Sequence, residues 1–281
     1  MLLVSTSASC CIRLEYNLEI FMDIVYEVRL LNVNPRDCAT RTKIEVQTRK
    51  LCLWYFFGCL AYAVYYIHLK ATKHMDIKPK NLLMRDMCST KTEYDLPYKI
   101  YIADFGIFRV YGTALESDTG SPTPSTRAYA APEVVAQETR GLSADIFSLG
   151  CVFIEMLATL ATNNHGSDCR PILIDIRTSN PYSDGSFQAN SIRIREMPVL
   201  AFGDPSSEID RYFHCVREVT YSMLSTNPNS QPLPNGQDSS YPRYTSLQLS
   251  TRQTRTIRES FREPGRTRLF LVHFRLTLYG R

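Results

Sequence analysis

The stretch from Lys73 to Met84 constrains the fold of this chain more than any other part of the sequence. Within a few residues it places a carboxylic acid (Asp76), a cation (Lys78), a proline (Pro79) and an amide (Asn81). A long apolar stretch precedes this polar group, and a short apolar run follows it. Because proline fixes one backbone angle, it restricts the turn that relates the acid to the amide. The pattern predicts a polar turn of defined shape held between buried segments.

The chemistry of this group fits phosphoryl transfer. That reaction needs an acceptor for the hydroxyl proton, a cation near the transferred phosphate and an oxygen ligand for Mg²⁺. The stretch resembles the catalytic loop of eukaryotic protein kinases, whose pattern H-R-D-x-x-x-x-N is matched here by His74, Met75, Asp76 and Asn81. Met75 replaces the arginine of that pattern.

Further matches to the kinase family follow in the family's order. Asp104-Phe105-Gly106 stands at the end of the segment 98–103, which alternates between apolar and polar residues as a strand does. Ala131-Pro132-Glu133 comes next, and the segment 143–150 then opens an apolar helix that runs to about Leu160. Separate motifs in one order are far more specific than a single motif, so the chain is identified as similar to serine/threonine protein kinases.

The resemblance implies a mainly α fold with small β elements (α+β): a protein-kinase-like large lobe, a truncated small lobe and an irregular basic tail. The sequence contains no G-x-G, so the glycine-rich loop that covers the phosphates in the family has no counterpart in it. It also shows no upstream strand with a lysine. We expect residues 1–15 to be a remnant of the small lobe and hinge, 16–232 to form the large lobe, and 233–281 to form a basic, flexible tail.

The resemblance also implies roles for individual residues. Asp76 would orient the substrate hydroxyl and accept its proton, and Lys78 would steady the γ-phosphate. Asn81 and Asp104 would hold Mg²⁺ through oxygen, the ligand atom that this ion prefers, and Leu83 would lie under the adenine of ATP. The expected cofactors are ATP and Mg²⁺, and the expected partner is a protein substrate. In this family a lysine two residues after the acid favours serine or threonine acceptors over tyrosine.

A second hypothesis stays open: a catalytically impaired, pseudokinase-like binding scaffold, or a fragment. Phosphoryl transfer depends mostly on positioning and electrostatic stabilisation, so losing a phosphate-positioning group can cost orders of magnitude in rate. The sequence lacks two such groups, the glycine-rich loop and the strand lysine. The intact catalytic-loop and metal-binding residues favour an active kinase.

Three other positions carry expectations from the resemblance. Asp145 is expected to accept backbone hydrogen bonds from the catalytic loop, unless it is simply an acid at a helix N-terminus. Gln231 stands where the family has the arginine that holds Glu133, so we expect Glu133 to be more exposed than usual or the lobe to be weakened. Because Met75 cannot pair with a phosphate, activity should not depend on phosphorylation of the loop 107–130.

Apolar periodicity predicts the helices. A helix is expected over 16–31, a polar loop over 36–47, and a second helix from about Thr48 to Leu69 that delivers the catalytic loop. Loops around short helices are expected over 162–206, and a further helix over 208–224.

The uncharged segment from Leu51 to Ile67 also resembles a membrane span. As a helix it would reach only about 25 Å, whereas the hydrocarbon core is about 30 Å thick. We therefore expect a buried core helix and no membrane span, with a membrane-anchored protein as the alternative.

Composition fits an intracellular protein, cytoplasmic or nuclear. The chain of 281 residues has a net charge of +4, which is too mild to indicate a specific nucleic-acid partner. Its nine cysteines are scattered and form no C-x-x-C pair, so the sequence predicts neither a disulfide framework nor a zinc site. The first residues have no basic segment, and their apolar run is too short for a signal peptide.

Overall fold

The computed structural model describes most of the predicted large lobe. The described residues are 16–31, 39–87, 97–105, 109–110, 127–137, 141–161, 167–179, 184–197 and 208–231. The predicted remnant at 1–15 and the predicted tail at 233–281 lie outside them, so the expected domain boundaries stay predictions.

Helices make up most of the described residues, as the resemblance predicted. They are α1 (Leu18–Leu31), α2 (Ala39–Leu69), α3 (Pro132–Val135), α4 (Ser143–Leu160), α5 (Cys169–Thr178), α6 (Ser191–Arg195) and α7 (Glu208–Met223). The expected helices over 16–31 and 208–224 and the apolar helix that opens at 143 are all present. The mainly α fold class is confirmed.

Short strands complete the fold. They are β1 (Tyr16–Asn17), β2 (Thr72–Lys73), β3 (Leu82–Asp86), β4 (Tyr98–Ile102) and β5 (Arg109–Val110). One antiparallel sheet has the order β1-β3-β4, and β2 pairs with β5 in a second one. The strand predicted over 98–103 is therefore present, and its partner β3 begins directly after the candidate catalytic residues.

The start of α2 differs from the prediction. We expected a polar loop over 36–47 and a helix from about Thr48, but α2 already begins at Ala39. Polar residues can form a helix when their side chains pair one turn apart. Here the Arg49 guanidinium donates to the Glu45 carboxylate at 2.6 Å, a pair of this kind within α2.

The side chain of Asn17 accounts for the start of α1. Its Oδ1 accepts a hydrogen bond from the backbone N–H of Ile20 at 3.0 Å, as an N-cap residue does. Apolar residues of α1 then enter the core, where the Phe21 ring lies 5.0 Å from the Tyr98 ring of β4. This contact joins α1 to the sheet that carries the candidate site.

Helix α4 is the centre of the core and is buried almost along its whole length. Its Phe153 ring packs edge-on against Phe57 of α2, with ring centres 4.9 Å apart, and Trp54 of α2 reaches Phe213 of α7 at 5.8 Å. An added Cβ at Gly150 would lie only 2.9 Å from the Cβ of Met223, so α4 and α7 approach closely at that glycine. One core therefore connects α2, α4 and α7.

Two described helices are long and apolar enough to cross a membrane, judged by length and composition alone. They are Gln47–Leu69, with 56% of its most apolar window buried inside the protein, and α4, with 89% of its window buried. Helices that form the core of a globular protein meet the same criterion. The burial of both helices favours the predicted core-helix interpretation of the segment 51–67.

The described cysteines are all free thiols. Cys52, Cys151 and Cys169 are buried, Cys59 is half-buried and Cys215 is exposed. Burial raises the pKa of the Cys59 thiol to about 11, which keeps that thiol protonated and unreactive at neutral pH. The buried cysteines Cys52, Cys151 and Cys169 are therefore packing residues of the core.

Candidate active site

The candidate catalytic residues lie on one tight turn between β2 and β3. Lys78 is extended, with φ −157° and ψ 160°, and is followed by a short 3₁₀ turn over Pro79–Asn81. An extended residue before proline is expected, because the proline ring disfavours the helical region for its predecessor. Asn81 is buried at the end of this turn and leads directly into β3.

The turn brings Asp76, Lys78 and Asn81 into contact. Lys78 Nζ donates to Asp76 Oδ2 at 2.6 Å. Asn81 Nδ2 donates to the same oxygen at 3.0 Å and to the Asp76 backbone carbonyl at 2.8 Å. The side chains of Lys78 and Asp76 keep 20% and 15% of their surface exposed, so a substrate can still reach them. The carboxylate is thus held in one orientation by two donors.

Asp145 fixes the backbone of this turn from beneath. Its Oδ2 accepts the N–H of His74 and its Oδ1 accepts the N–H of Met75, both at 2.8 Å. His68 Nε2 also donates to Oδ2 at 3.0 Å. The predicted structural role of Asp145 is confirmed, and the alternative of a simple helix-terminal acid does not account for these bonds.

The surroundings of Asp145 keep it ionised. Burial disfavours the ionised form of Asp145. The hydrogen bond and the electrostatic attraction from His68, together with the hydrogen bond from the backbone N–H of His74, outweigh this effect of burial. They hold the pKa of Asp145 below its ordinary value. A charged acceptor makes stronger hydrogen bonds than a neutral one, so the backbone at residues 74 and 75 is firmly held.

His74 is occupied as a packing and bridging residue. Its Nε2 donates to the Ala103 carbonyl at 2.9 Å, and its Nδ1 accepts the Asp76 N–H at 3.3 Å. The ring also packs on Phe105, with ring centres 4.8 Å apart. Both ring nitrogens are therefore used within the protein, which fits the prediction that His74 is not a base.

Asp104 lies beside the catalytic turn, because the preceding residue, Ala103, is hydrogen-bonded to that turn. The N–H of Ala103 donates to the backbone carbonyl of Asn81 at 2.9 Å, so Asp104 directly follows a residue that is hydrogen-bonded to the backbone of Asn81. Its side chain is exposed to solvent. The structure thus brings the end of β4 to the candidate site, as the motif order predicted.

Two residues of the site have an unusual backbone conformation. Met75 has φ 70° and Asp104 has φ 61°, both in the left-handed region that few residues other than glycine adopt. Such conformations persist only where the surrounding structure enforces them, and they cluster at functional sites. At Met75 the enforcing contact is the Asp145 carboxylate, which binds its N–H.

The available oxygen atoms suit Mg²⁺ at Asn81 and Asp104. The Asn81 amide nitrogen is taken by Asp76, which leaves the amide oxygen as its ligand atom, and Asp104 supplies an exposed carboxylate. Mg²⁺ commonly uses one or two protein oxygens and completes its shell with water and phosphate. The described residues contain no group of three or more His, Cys, Asp or Glu side chains that could hold a metal ion.

Comparison with known proteins decides the family. The model of the protein kinase domain matches residues 14–186, which is more than half of the chain. The chain belongs to the protein kinase family. The matched range contains the catalytic turn, the Asp104 motif, the segment ending at Glu133, and the whole of α4.

Similar curated proteins agree with this assignment. Over 103 residues the chain is 37% identical to the serine/threonine-protein kinase PknJ of Mycobacterium tuberculosis, a match that covers 37% of this chain and 16% of that protein. Over 136 residues it is 31% identical to the mitogen-activated protein kinase HOG1B of Wallemia ichthyophaga, covering 48% of this chain and 32% of that protein. For HOG1 of Exserohilum turcicum the identity is 32%, with 48% and 36% covered. The matches therefore span between 16% and 36% of these relatives' lengths.

Leu83, predicted to lie under the adenine, sits on β3 of this kinase fold. It is half-buried and pairs with Asn17 of β1 on one side and Tyr101 of β4 on the other. It therefore lies two residues beyond Asn81, on the strand that leaves the catalytic turn. Its role in nucleotide binding stays a prediction.

Of the two alternatives expected for Glu133, greater exposure is wrong, because Glu133 is buried with 4% of its surface exposed. The other alternative, a weakened lobe, stays a prediction. The Ser143 hydroxyl donates to Glu133 Oε1 at 3.0 Å. Gln231 is also buried and donates its amide to the Ser225 carbonyl at 2.9 Å.

A further set of contacts was missed by the sequence reasoning. Tyr129, just before Ala131-Pro132-Glu133, donates its hydroxyl to the Glu155 carboxylate of α4, and Arg177 of α5 binds the same carboxylate. His68, which donates to Asp145, was missed as well. The only sequence signal for Glu155 and His68 is a polar residue inside an apolar helix, and nothing in the sequence indicates their partners.

Proposed function

We propose that the protein transfers the γ-phosphate of ATP to a serine or threonine hydroxyl of a protein substrate. The observation that carries this proposal is the cluster on the catalytic turn. There the Asp76 carboxylate receives hydrogen bonds from Lys78 at 2.6 Å and from Asn81 at 3.0 Å. These residues match the catalytic-loop part of the set that protein kinases use for phosphoryl transfer.

Asp76 acts on the acceptor hydroxyl. Its partly exposed carboxylate accepts the hydrogen of the hydroxyl, orients the oxygen for attack, and takes the proton as the new bond to phosphorus forms. The hydrogen bonds from Lys78 and Asn81 and the Asp145 contacts beneath keep the carboxylate in place, so little reorganisation is needed during the reaction. The lysine also places a positive charge where phosphate oxygens carry negative charge.

Asn81 and Asp104 provide the oxygen atoms for Mg²⁺, and Leu83 provides an apolar surface for the adenine. When bound, Mg²⁺ neutralises the charge that develops on the phosphate oxygens. The hydrogen bond from the Ala103 N–H to the Asn81 backbone carbonyl joins the two backbone segments that carry these side chains, which supports a shared site. PknJ, to which the chain is similar, is named a serine/threonine-protein kinase, and this name supports serine or threonine as the acceptor. The similarity to mitogen-activated protein kinases is in line with it.

Two variants separate nucleotide binding from transfer. We expect ATP with Mg²⁺ to raise the melting temperature of the wild-type chain in a concentration-dependent manner, and D104N to lose that response. D76N should keep the thermal response but lose transfer to casein or histone by about a thousandfold. D175N is the matched control, because Asp175 is an exposed aspartate of α5, and it should behave like the wild type.

A binding scaffold without useful transfer activity is the second candidate. It is favoured by the absence of any G-x-G in the sequence, since the family covers the phosphates with such a loop. A folded wild-type chain whose melting temperature does not respond to ATP and Mg²⁺ would support the scaffold. A response without transfer to any protein would support a nucleotide-binding scaffold.

We also propose that the protein works inside the cell, in the cytoplasm or nucleus. Its described cysteines are free, and three of them are buried, which suits a reducing compartment. Imaging of the tagged full-length chain tests this proposal, and a secreted or membrane-fixed signal would contradict it.

A further inference from the structure

We propose that Arg177 of α5 is a positioning residue that holds the segment Arg127–Tyr129 in place for a protein substrate. This inference rests on the proposed function, because that segment leads into Ala131-Pro132-Glu133, beside which the family receives its substrate. Arg177 touches neither the substrate hydroxyl nor the catalytic turn. It acts through Glu155 and Phe187.

Arg177 makes three different contacts from one guanidinium group. Its Nη1 donates to Glu155 Oε1 at 3.1 Å, and its Nε donates to the Gly185 carbonyl at 2.9 Å. Its Cζ also lies 4.0 Å from the centre of the Phe187 ring, within cation–π range. A planar group with several donors can satisfy all three at once, which a lysine ammonium cannot do in the same geometry.

Two of these three partners of Arg177, Glu155 and Phe187, also contact the segment Arg127–Tyr129. The Tyr129 hydroxyl donates to the two carboxylate oxygens of Glu155 at 3.0 Å and 3.1 Å. The Phe187 N–H donates to the Ala128 carbonyl at 3.0 Å, and the Phe187 ring lies 5.5 Å from the Tyr129 ring. Arg177, Glu155, Tyr129 and Phe187 therefore form a closed ring of contacts, called the platform ring below.

The exposed fractions of the side chains indicate that the Arg177–Glu155 ion pair holds the segment Arg127–Tyr129 more strongly than the Arg127–Asp184 ion pair does. Arg127 pairs with Asp184 at 2.5 Å, but the Arg127 side chain is 71% exposed. Exposed ion pairs contribute little. Arg177 and Glu155 are each only 18% exposed, so water screens their interaction much less. The Ser148 hydroxyl also donates to the Tyr129 carbonyl at 2.9 Å.

The charge of Arg177 also favours the ionised form of Glu155, which can accept hydrogen bonds through both of its carboxylate oxygens. Burial raises the pKa of Glu155 to about 7, and the Arg177 guanidinium acts in the opposite direction. Loss of that guanidinium would raise the pKa of Glu155 further and favour the protonated carboxyl, which needs an acceptor of its own. Tyr129 would then lose one of its two acceptor oxygens.

Arg170 offers a closely matched control on the same helix. Its guanidinium also pairs with a carboxylate, that of Asp23, and lies 5.3 Å from the Tyr26 ring. Its side chain is 19% exposed, against 18% for Arg177. Its described contacts go to α1 and none goes to the segment 127–129. R177M therefore removes a guanidinium that contacts the platform ring directly, whereas R170M removes one from the same helix that acts on Glu155 through its charge alone.

Hydrogen exchange of the full chain tests the positioning without any catalysis. We expect R177M to speed exchange of the Phe187 amide by about tenfold, because a hydrogen bond worth about 1.4 kcal/mol corresponds to that factor. R170M should leave this amide unchanged, and R177K should give an intermediate rate because it keeps the charge but not the stacked plane. Equal exchange in R177M and the wild type would overturn the proposal, as would equal acceleration in R170M and R177M.

Kinetics then connects the platform ring to the substrate. We expect R177M to raise the KM for casein or histone by about tenfold while the KM for ATP stays within about twofold, since the two sites use different residues. A general loss of folding would lower the maximal rate without raising either KM. Equal rises in both KM values would overturn the proposal. Absence of transfer by the wild type would instead remove the proposed function, and the exchange result would still decide whether Arg177 holds the segment.

Discussion

Asp145 is the residue on which the geometry of the catalytic turn depends most. Its carboxylate accepts two backbone N–H groups and the His68 ring while it is almost completely buried. The sequence motif predicted this role for the aspartate. It could not predict His68, because residues 68 and 145 lie far apart in the chain and only the fold brings them together.

Replacing Asp145 by asparagine should weaken the fold. The amide has one acceptor oxygen instead of two and adds a donor, so we expect D145N to lower the free energy of unfolding by about 2–4 kcal/mol. Because the pKa of Asp145 is lowered in the folded protein, its contribution is present above its unfolded pKa and is lost as the pH falls. Urea denaturation at neutral and acidic pH measures both effects, with D175N as an exposed control expected to change stability by less than about 0.5 kcal/mol.

Glu155 should show the opposite dependence on pH. Burial raises the pKa of its carboxyl from 4.5 to about 7 in the folded state, so the contribution to stability is present below pH 4.5 and is lost as the pH rises to about 7. The difference in unfolding free energy between the wild type and E155Q should therefore fall over this range, by about 3 kcal/mol at most. The groups that face Glu155 are Tyr129, Arg177, Arg170, Glu19 and Cys151. If the difference in unfolding free energy between the wild type and E155Q rises with pH instead, then Arg177 stabilises the ionised carboxylate by more than burial destabilises it.

At the scale of elements, apolar periodicity predicted helices well and their ends less well. α4 was predicted from its first residue because its apolar run is long and uninterrupted. The start of α2 was missed because residues 39–47 are polar, and polarity alone does not separate a loop from a solvated helix surface. Pairs one turn apart, such as Glu45 with Arg49, are the signal that could have extended the prediction.

The close approach of α4 and α7 yields a prediction at Gly150. Alanine favours a helix by about 1 kcal/mol over glycine. However, an added Cβ would lie 2.9 Å from the Met223 Cβ and 3.3 Å from Leu224 Cδ2. We therefore expect G150A to destabilise the protein by about 1–3 kcal/mol in urea denaturation, because the two helices must move apart. A variant more stable than the wild type would mean that the helix pair accommodates the methyl group without cost.

At the scale of the whole molecule, the order of the motifs predicted the fold class. The core is formed by three helices whose packing no single motif specifies. α2 and α7 each pack on α4, and the catalytic turn is attached to this core through Asp145. The positions of these helices relative to one another could not be read from the sequence, because they depend on contacts between residues distant in the chain. The site is therefore as rigid as the core that carries it.

This organisation yields a prediction about the boundary at 232. The core residues in the described part of the chain run from Leu18 to Leu224. We expect a chain ending at residue 232 to unfold in urea at the same midpoint as the full chain and with the same slope, because the slope scales with the surface exposed on unfolding. Its melting temperature should also respond to ATP and Mg²⁺ as that of the full chain does. A lower midpoint together with a smaller slope would mean that residues 233–281 bury surface against the lobe, and the boundary would then have to move toward the C-terminus.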